Sequence, residues 1–160
     1  MTEFCRQARP GLRASLFAGL FTGLCVAATS ASAVLLVNLP WLRVAPDAHS
    51  AEVFMAVTST DGATLVGASS LAAKSVTLVA PGRKNQTVAE IALPAKVAVQ
   101  LAPGGYRIVF TRLTRALKRG DHVPITLTIQ SEDGTRQTLA INAEVRRRSA
   151  LEDEMQPHKH

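Results

Sequence analysis

The stretch "HVPITLTIQSEDGTRQTLAINAEV", residues 122–145, restricts the fold more than any other part of the chain. Its first half alternates: Val123, Ile125, Leu127 and Ile129 fall on one side, with Thr126, Thr128 and Gln130 on the other. Successive side chains of a strand point to opposite faces, so this period of two marks an extended segment buried on one face. The second half answers with Leu139, Ile141, Ala143 and Val145. Between them "SEDGT" supplies turn chemistry, with Gly134 placed for a positive φ. Two such runs around such a turn predict an antiparallel hairpin. A hairpin with one apolar face needs a second layer to cover it.

Further strand candidates fill the middle of the chain. They are "VLLV" at 34–37, "EVFMAVTS", "SVTLVAPG", "VAEIALP", "KVAVQLA" and "YRIVFT". Turns bearing Gly or Pro separate them, at "TDG" (60–62), "APGR" (80–83) and "APGG" (102–105). The segment "TRLTRALKRGD" reads as a loop. Short strands at this spacing predict an all-β sandwich or barrel.

The first 33 residues read differently. Arg6, Arg9 and Arg13 precede the apolar run "SLFAGLFTGLCVAATSASA", which ends in Ala31-Ser32-Ala33. A basic start, an apolar centre and a small-residue exit make a signal peptide over 1–33, helical and cut after Ala33. An uncleaved anchor is the rival, because no charge interrupts residues 14–42. Asn38, Pro40 and Trp41 favour cleavage, since they make "VLLV" a first strand rather than the end of a span. A lipid attachment at Cys25 fails, because Leu24 stands where a small residue is required. In both cases the remainder is exported, to the periplasm, and membrane contact arises only if the segment is retained.

Cys5 and Cys25 both lie in this leader, so residues 34–160 carry no cysteine. Disulfides, thiol nucleophiles and thiolate metal sites are excluded from the exported part. Removing Arg6, Arg9, Arg13 and Glu3 takes the formal charge from +6 to +4. The basic run Arg146–Arg148 is followed at once by Glu152, Asp153 and Glu154, which reads as a solvated strand end partly neutralised by its own tail. One Tyr and one Trp offer little for base stacking, so nucleic acid is not an expected partner. No phosphate loop follows a strand, and no paired-acid or Ser–His–Asp spacing stands out. "NQT" at 85–87 matches a glycosylation sequon, which implies only exposure. His49 and His122 sit in turn-like contexts and read as solvated residues. An enzyme is not expected.

Three blocks point to a relationship. "LVGASS" at 65–70, "LAPGGY" at 101–106 and "L..ALKRGDHVPITLTI" from Leu113 to Ile129 resemble the PCuAC family of periplasmic copper chaperones. The likeness takes in "PWLRVAPDAHSAEVFMAVTS" at 40–59 and reaches about Val145, which covers nearly all of the domain at 34–148. The resemblance implies a cupredoxin-like Greek-key β-barrel, in agreement with the strand pattern.

It also implies a copper site, and here the chain departs from the family. Family members carry Cu(I) on two His-x-Met pairs, a donor set of soft thioethers and imidazoles. The first pair falls on Val79 and Pro81 and the second on Arg107 and Val109. The hairpin between them is several residues shorter than the family pattern, and no Met lies between Gly62 and Asp153. Met55, in the middle of "VFMAV", reads as core filling. The remaining donors are Met155, His158 and His160, in the tail at 149–160.

Two functions therefore stand at this point. One is a metal-handling protein with copper carried on that tail, passing it towards oxidase copper-site assembly. The other is a non-metal interaction module on the same scaffold, docking a periplasmic copper chaperone or a cuprous oxidase assembly protein.

Overall fold

A computed structural model of the chain describes residues 34–82 and 86–147. The expected signal peptide helix at 1–33, Cys5, Cys25 and the tail residues Met155, His158 and His160 lie outside the described residues.

The described residues form ten strands. They are β1 (Leu35–Val44), β2 (Ser50–Ser59), β3 (Ala63–Ser69), β4 (Ala73–Val79), β5 (Thr87–Val88), β6 (Ile91–Leu93), β7 (Ala98–Leu101), β8 (Arg107–Leu113), β9 (His122–Ser131) and β10 (Arg136–Val145). They hydrogen-bond in the order β5-β4-β8-β2-β1-β10-β9-β3-β6, with β7 also paired to β2. This is the nearly closed, barrel-like sheet of the cupredoxin-like fold, and no helix occurs among the described residues. Neighbours are antiparallel except at the seam, where β1 meets β10 in parallel through Trp41↔Glu144 and Leu42↔Val145.

The hairpin predicted from period two is β9–β10, with Leu127↔Leu139, Ile125↔Ile141 and Val123↔Ala143 in register. Its three-residue loop closes through Ser131 N–H to the Thr135 carbonyl (2.9 Å), and Gly134 takes φ +84°. That is the left-handed position such loops reserve for glycine. Val123, Ile125, Leu127 and Ile129 are all but fully buried. They join Leu42, Val53, Met55, Leu65, Ile108 and Phe110 in one core. Leu139 and Ile141 are half-buried and pack against it, so the second strand is covered less deeply than the first. Met55 is a core residue, as its position in the strand implied.

Two strands escape simple pattern reading, and each contains a bulge. β1 does not stop at Val37 but continues to Val44, with its register shifting between Asn38 and Trp41. Leu39 takes φ +47° there, and Leu39 with Pro40 spans the place of a single partner residue. β3 shifts between Leu65 and Gly67. The extra residue breaks the alternation, and Gly67, Ala68 and Ser69 supply no large side chain to reveal it. Two smaller differences follow from local pairing. β8 extends to Leu113, into the expected loop, because Leu113 pairs with Ala73. "VAEIALP" divides into β5, which pairs with β4, and β6, which pairs with β3.

Candidate functional site

The outer face of β1, β2, β8 and β4 carries two cross-strand rows. One runs Arg43↔Glu52, Glu52↔Val109 and Val109↔Thr77. The other contains Trp41↔Phe54 at one end and Arg107↔Val79 at the other. Trp41, Phe54, Val79 and Arg107 are all buried, yet none belongs to the main core. The sheet thus has a second, smaller buried layer on its far side. The Trp41 and Phe54 rings sit 4.6 Å apart, and the Arg43 guanidinium lies 5.5 Å above the Phe54 ring, a cation–π contact.

Arg107 is delivered to this layer by a tight turn. The Gly105 N–H donates to the Ala102 carbonyl and the Ala102 N–H to the Tyr106 carbonyl, both at 2.9 Å. The chain re-enters the sheet at Arg107 with only 4% of the residue exposed. Its Nε lies 3.1 Å from Glu52 Oε1, and its Nη1 donates to the Gly105 carbonyl at 3.0 Å. Glu52 takes Arg43 Nη2 on its other oxygen at 2.6 Å. One carboxylate thus sits between two guanidinium groups, one buried and one at the surface. A buried charge is tolerated only when paired and hydrogen-bonded, and Glu52 supplies that pairing.

Of the four positions at which the resemblance places copper ligands, the fold brings Val79 and Arg107 side by side on neighbouring strands. Val109 follows on the same face of β8, two residues on. Pro81 lies beyond the end of β4 and is exposed. Copper does not suit this donor set. Val and Pro offer no donor atom, and the Arg107 guanidinium is a fixed cation already held by Glu52.

The two described histidines stand apart from this layer. His49 is exposed in the turn before β2, where its N–H donates to Asp47 Oδ1 at 3.0 Å. That bond holds the Asp47 carboxyl below its ordinary value. His122 is exposed at the start of β9, opposite Glu144. Among the described residues no group of three or more His, Cys, Asp or Glu is placed to hold a metal ion.

The partner of Arg107 escaped the reading of the sequence. A buried arginine beside the apolar run "IVF" needs acceptors, best a carboxylate, and Glu52 is the acid within the apolar alternation of "AEVFMAV". That much was available from the residues. Joining the two required the register of β2 against β8.

Comparison with known proteins agrees with this architecture. Residues 35–144 match the family described as "Putative lipoprotein LpqE-like". The chain belongs to the LpqE-like family. This family is related to PCuAC, so the resemblance carried by the sequence blocks holds. The chain is also similar to solved PCuAC domains. It is 23% identical to the apo PCuAC domain of PmoF1, over 70% of this chain and 92% of that one, with a TM-score of 0.60. It is 23% identical to the copper-bound PCuAC domain of PmoF2, over 70% and 93%, with a TM-score of 0.55. Against the solution structure of the Cu(I) form of DR1885 from Deinococcus radiodurans, identity is 27% over 74% and 83%, with a TM-score of 0.56. No curated protein matches.

Proposed function

We propose that this LpqE-like protein acts in copper handling outside the cytoplasm, as a non-enzymatic member of the copper-chaperone fold whose β domain does not use the family's His-x-Met site. The observation that carries the reading is Arg107. At a position where the resemblance calls for an imidazole, a guanidinium lies buried and ion-paired to Glu52. A second cation brought there would meet an existing one in a region of low dielectric, with no soft donor at Val79, Pro81 or Val109.

On this reading copper, where it is carried, belongs to Met155, His158 and His160. Its destination is an exported acceptor such as a periplasmic copper chaperone or an oxidase assembly protein. The signal-like segment at 1–33 supports a periplasmic location, and the family description of a putative lipoprotein is in keeping with export. Titration of the exported chain with Cu(I) against a competing chelator tests the assignment. Copper binding should be abolished by Met155→Ala with His158→Ala and His160→Ala. A full equivalent surviving that triple substitution would place the metal in the β domain and refute the reading.

The Arg43–Glu52–Arg107 arrangement favours a second reading, a protein–protein interaction module without metal. An ion-paired, aromatic-backed face is complete without a metal ion. Under this reading the unsubstituted chain binds no copper in the same titration.

A further inference from the structure

A groove of about 330 Å³ opens where the ends of β1 and β10 meet the loop before β9. Its apolar lining comes from Val44, Leu117 and Val145, and its polar lining from Arg43, Arg119, Arg146 and Arg147. Two of these arginines are already paired, Arg43 with Glu52 at 2.6 Å and Arg146 with Glu144, whose Oε2 accepts Arg146 Nε at 2.9 Å. Among the described residues Arg119 and Arg147 have no ion-pair partner. With Glu52 shared between Arg43 and Arg107, positive charge exceeds negative around an aliphatic floor.

The walls are fixed by backbone bonds. The Gly120 N–H donates to the Val145 carbonyl (2.9 Å), the Val145 N–H to the Asp121 carbonyl (2.8 Å), and the Arg146 N–H to the Leu42 carbonyl (2.9 Å). Asp121 Oδ2 secures the loop further, accepting from the Lys118 N–H at 3.0 Å and from Arg115 Nη1 at 3.1 Å. A site held this way loses little conformational entropy when it is filled.

We propose that this groove docks an acidic segment of a partner protein, an aliphatic side chain flanked by carboxylates. The aliphatic side chain lies on Val44, Leu117 and Val145, and the flanking carboxylates pair with Arg119 and Arg147. Guanidinium groups suit carboxylates because their planar donors match both oxygens. The floor selects against nucleic acid, because it offers no aromatic surface on which a base could stack. The volume suits the side chains of a short peptide. The proposal is independent of whether the chain carries metal.

The test uses the full exported chain with methyl labels read by NMR at Val44, Leu117 and Val145. The probe is the peptide Glu-Glu-Leu-Glu-Glu, compared with Gln-Gln-Leu-Gln-Gln. The acidic peptide should shift the three methyl signals and the neutral one should not. Affinity should fall at least about tenfold with Arg119→Glu plus Arg147→Glu, and again in about 0.5 M salt, where exposed charges are screened. Both substituted residues are exposed, and Arg136→Glu, an exposed site on the far end of β10, should leave binding unchanged. Equal binding of both peptides, no effect of the double reversal, or no shift at all would overturn the proposal. Substituting amides for Glu152, Asp153 and Glu154 provides a further arm. If that change alone moves the three methyl signals, the groove is filled by an acidic segment of this chain. Dependence of that shift on protein concentration would assign the segment to a second copy. In either case the partner assignment falls.

Discussion

A guanidinium with 4% of its residue exposed must find its stabilisation inside the protein, and Arg107 counts Glu52 and the Gly105 carbonyl among its partners. Removing one member of a buried pair costs about 3–5 kcal/mol, because the other is left charged and poorly solvated. Glu52 keeps Arg43, so Arg107→Ala should fall at the lower end of that range. Arg43 is 43% exposed at its side chain, and Arg43→Ala should cost less than about 1 kcal/mol. Urea denaturation of both variants checks the order, and a larger loss at Arg43 would show that the buried pairing is misjudged. The same experiment reads the main core. Leu127→Ala should cost about 2–5 kcal/mol, since a fully buried side chain leaves a cavity. Thr126→Ala, on the opposite face of the same strand, should cost far less. Leu127 was legible from the sequence because its neighbours two positions away repeat it. Arg107 was legible as a residue that cannot ligate copper, from chemistry alone. Its pairing with Glu52 was not, because strands far apart in sequence carry no local mark of their register.

At the level of elements, strands whose period of two runs unbroken are legible in the residues, and strands interrupted by bulges are not. β9 and β10 keep the period through long runs, and their hairpin follows from the residues. β1 and β3 each place an extra residue in the ladder, so apolar positions change sides within the strand. Asn38–Pro40 looks like an ending when read locally. In the fold it is a bend that turns Trp41 onto Phe54. The end of β10 gives a prediction of its own. The hydrogen bond from Arg146 holds the Glu144 carboxyl below its ordinary value of 4.5, with Arg146, His122 and Arg119 adding attraction. The Lys118 N–H, followed by Arg115, lowers Asp121 from 3.8. A carboxylate with a lowered folded value contributes stability that is complete above the unfolded value and disappears as pH falls through the folded one. Melting temperature should therefore decline below about pH 4.5, and Glu144→Gln should make that decline shallower. An unchanged acid profile in the variant would remove Glu144 from the account.

For the whole molecule, the proposed separation of scaffold from copper donors makes the decisive prediction. Residues 34–150 should bind no Cu(I) in competition with a strong chelator. Copper held by the longer chain should weaken as pH falls through about 6.5, where an unperturbed imidazole gains its proton. Installing Val79→His, Pro81→Met, Arg107→His and Val109→Met should recover partial affinity at most. Val79 and Arg107 are paired on β4 and β8, whereas Pro81 lies outside the ladder. One equivalent of Cu(I) on the unsubstituted residues 34–150 would overturn the assignment.

The parallel seam between β1 and β10 also decides when the fold can be finished. Trp41 and Leu42 meet Glu144 and Val145 across about a hundred intervening positions, a contact of very high sequence separation. Such contacts are the slow ones, because chain entropy must be surrendered before they form. A polypeptide emerging from its amino end can pair β1 with β2 early. It leaves the other edge of β1 open until the final strand has appeared. Throughout that interval the edge can template strand addition from another molecule, and pairing with β10 removes the hazard only after residue 145 has left the ribosome.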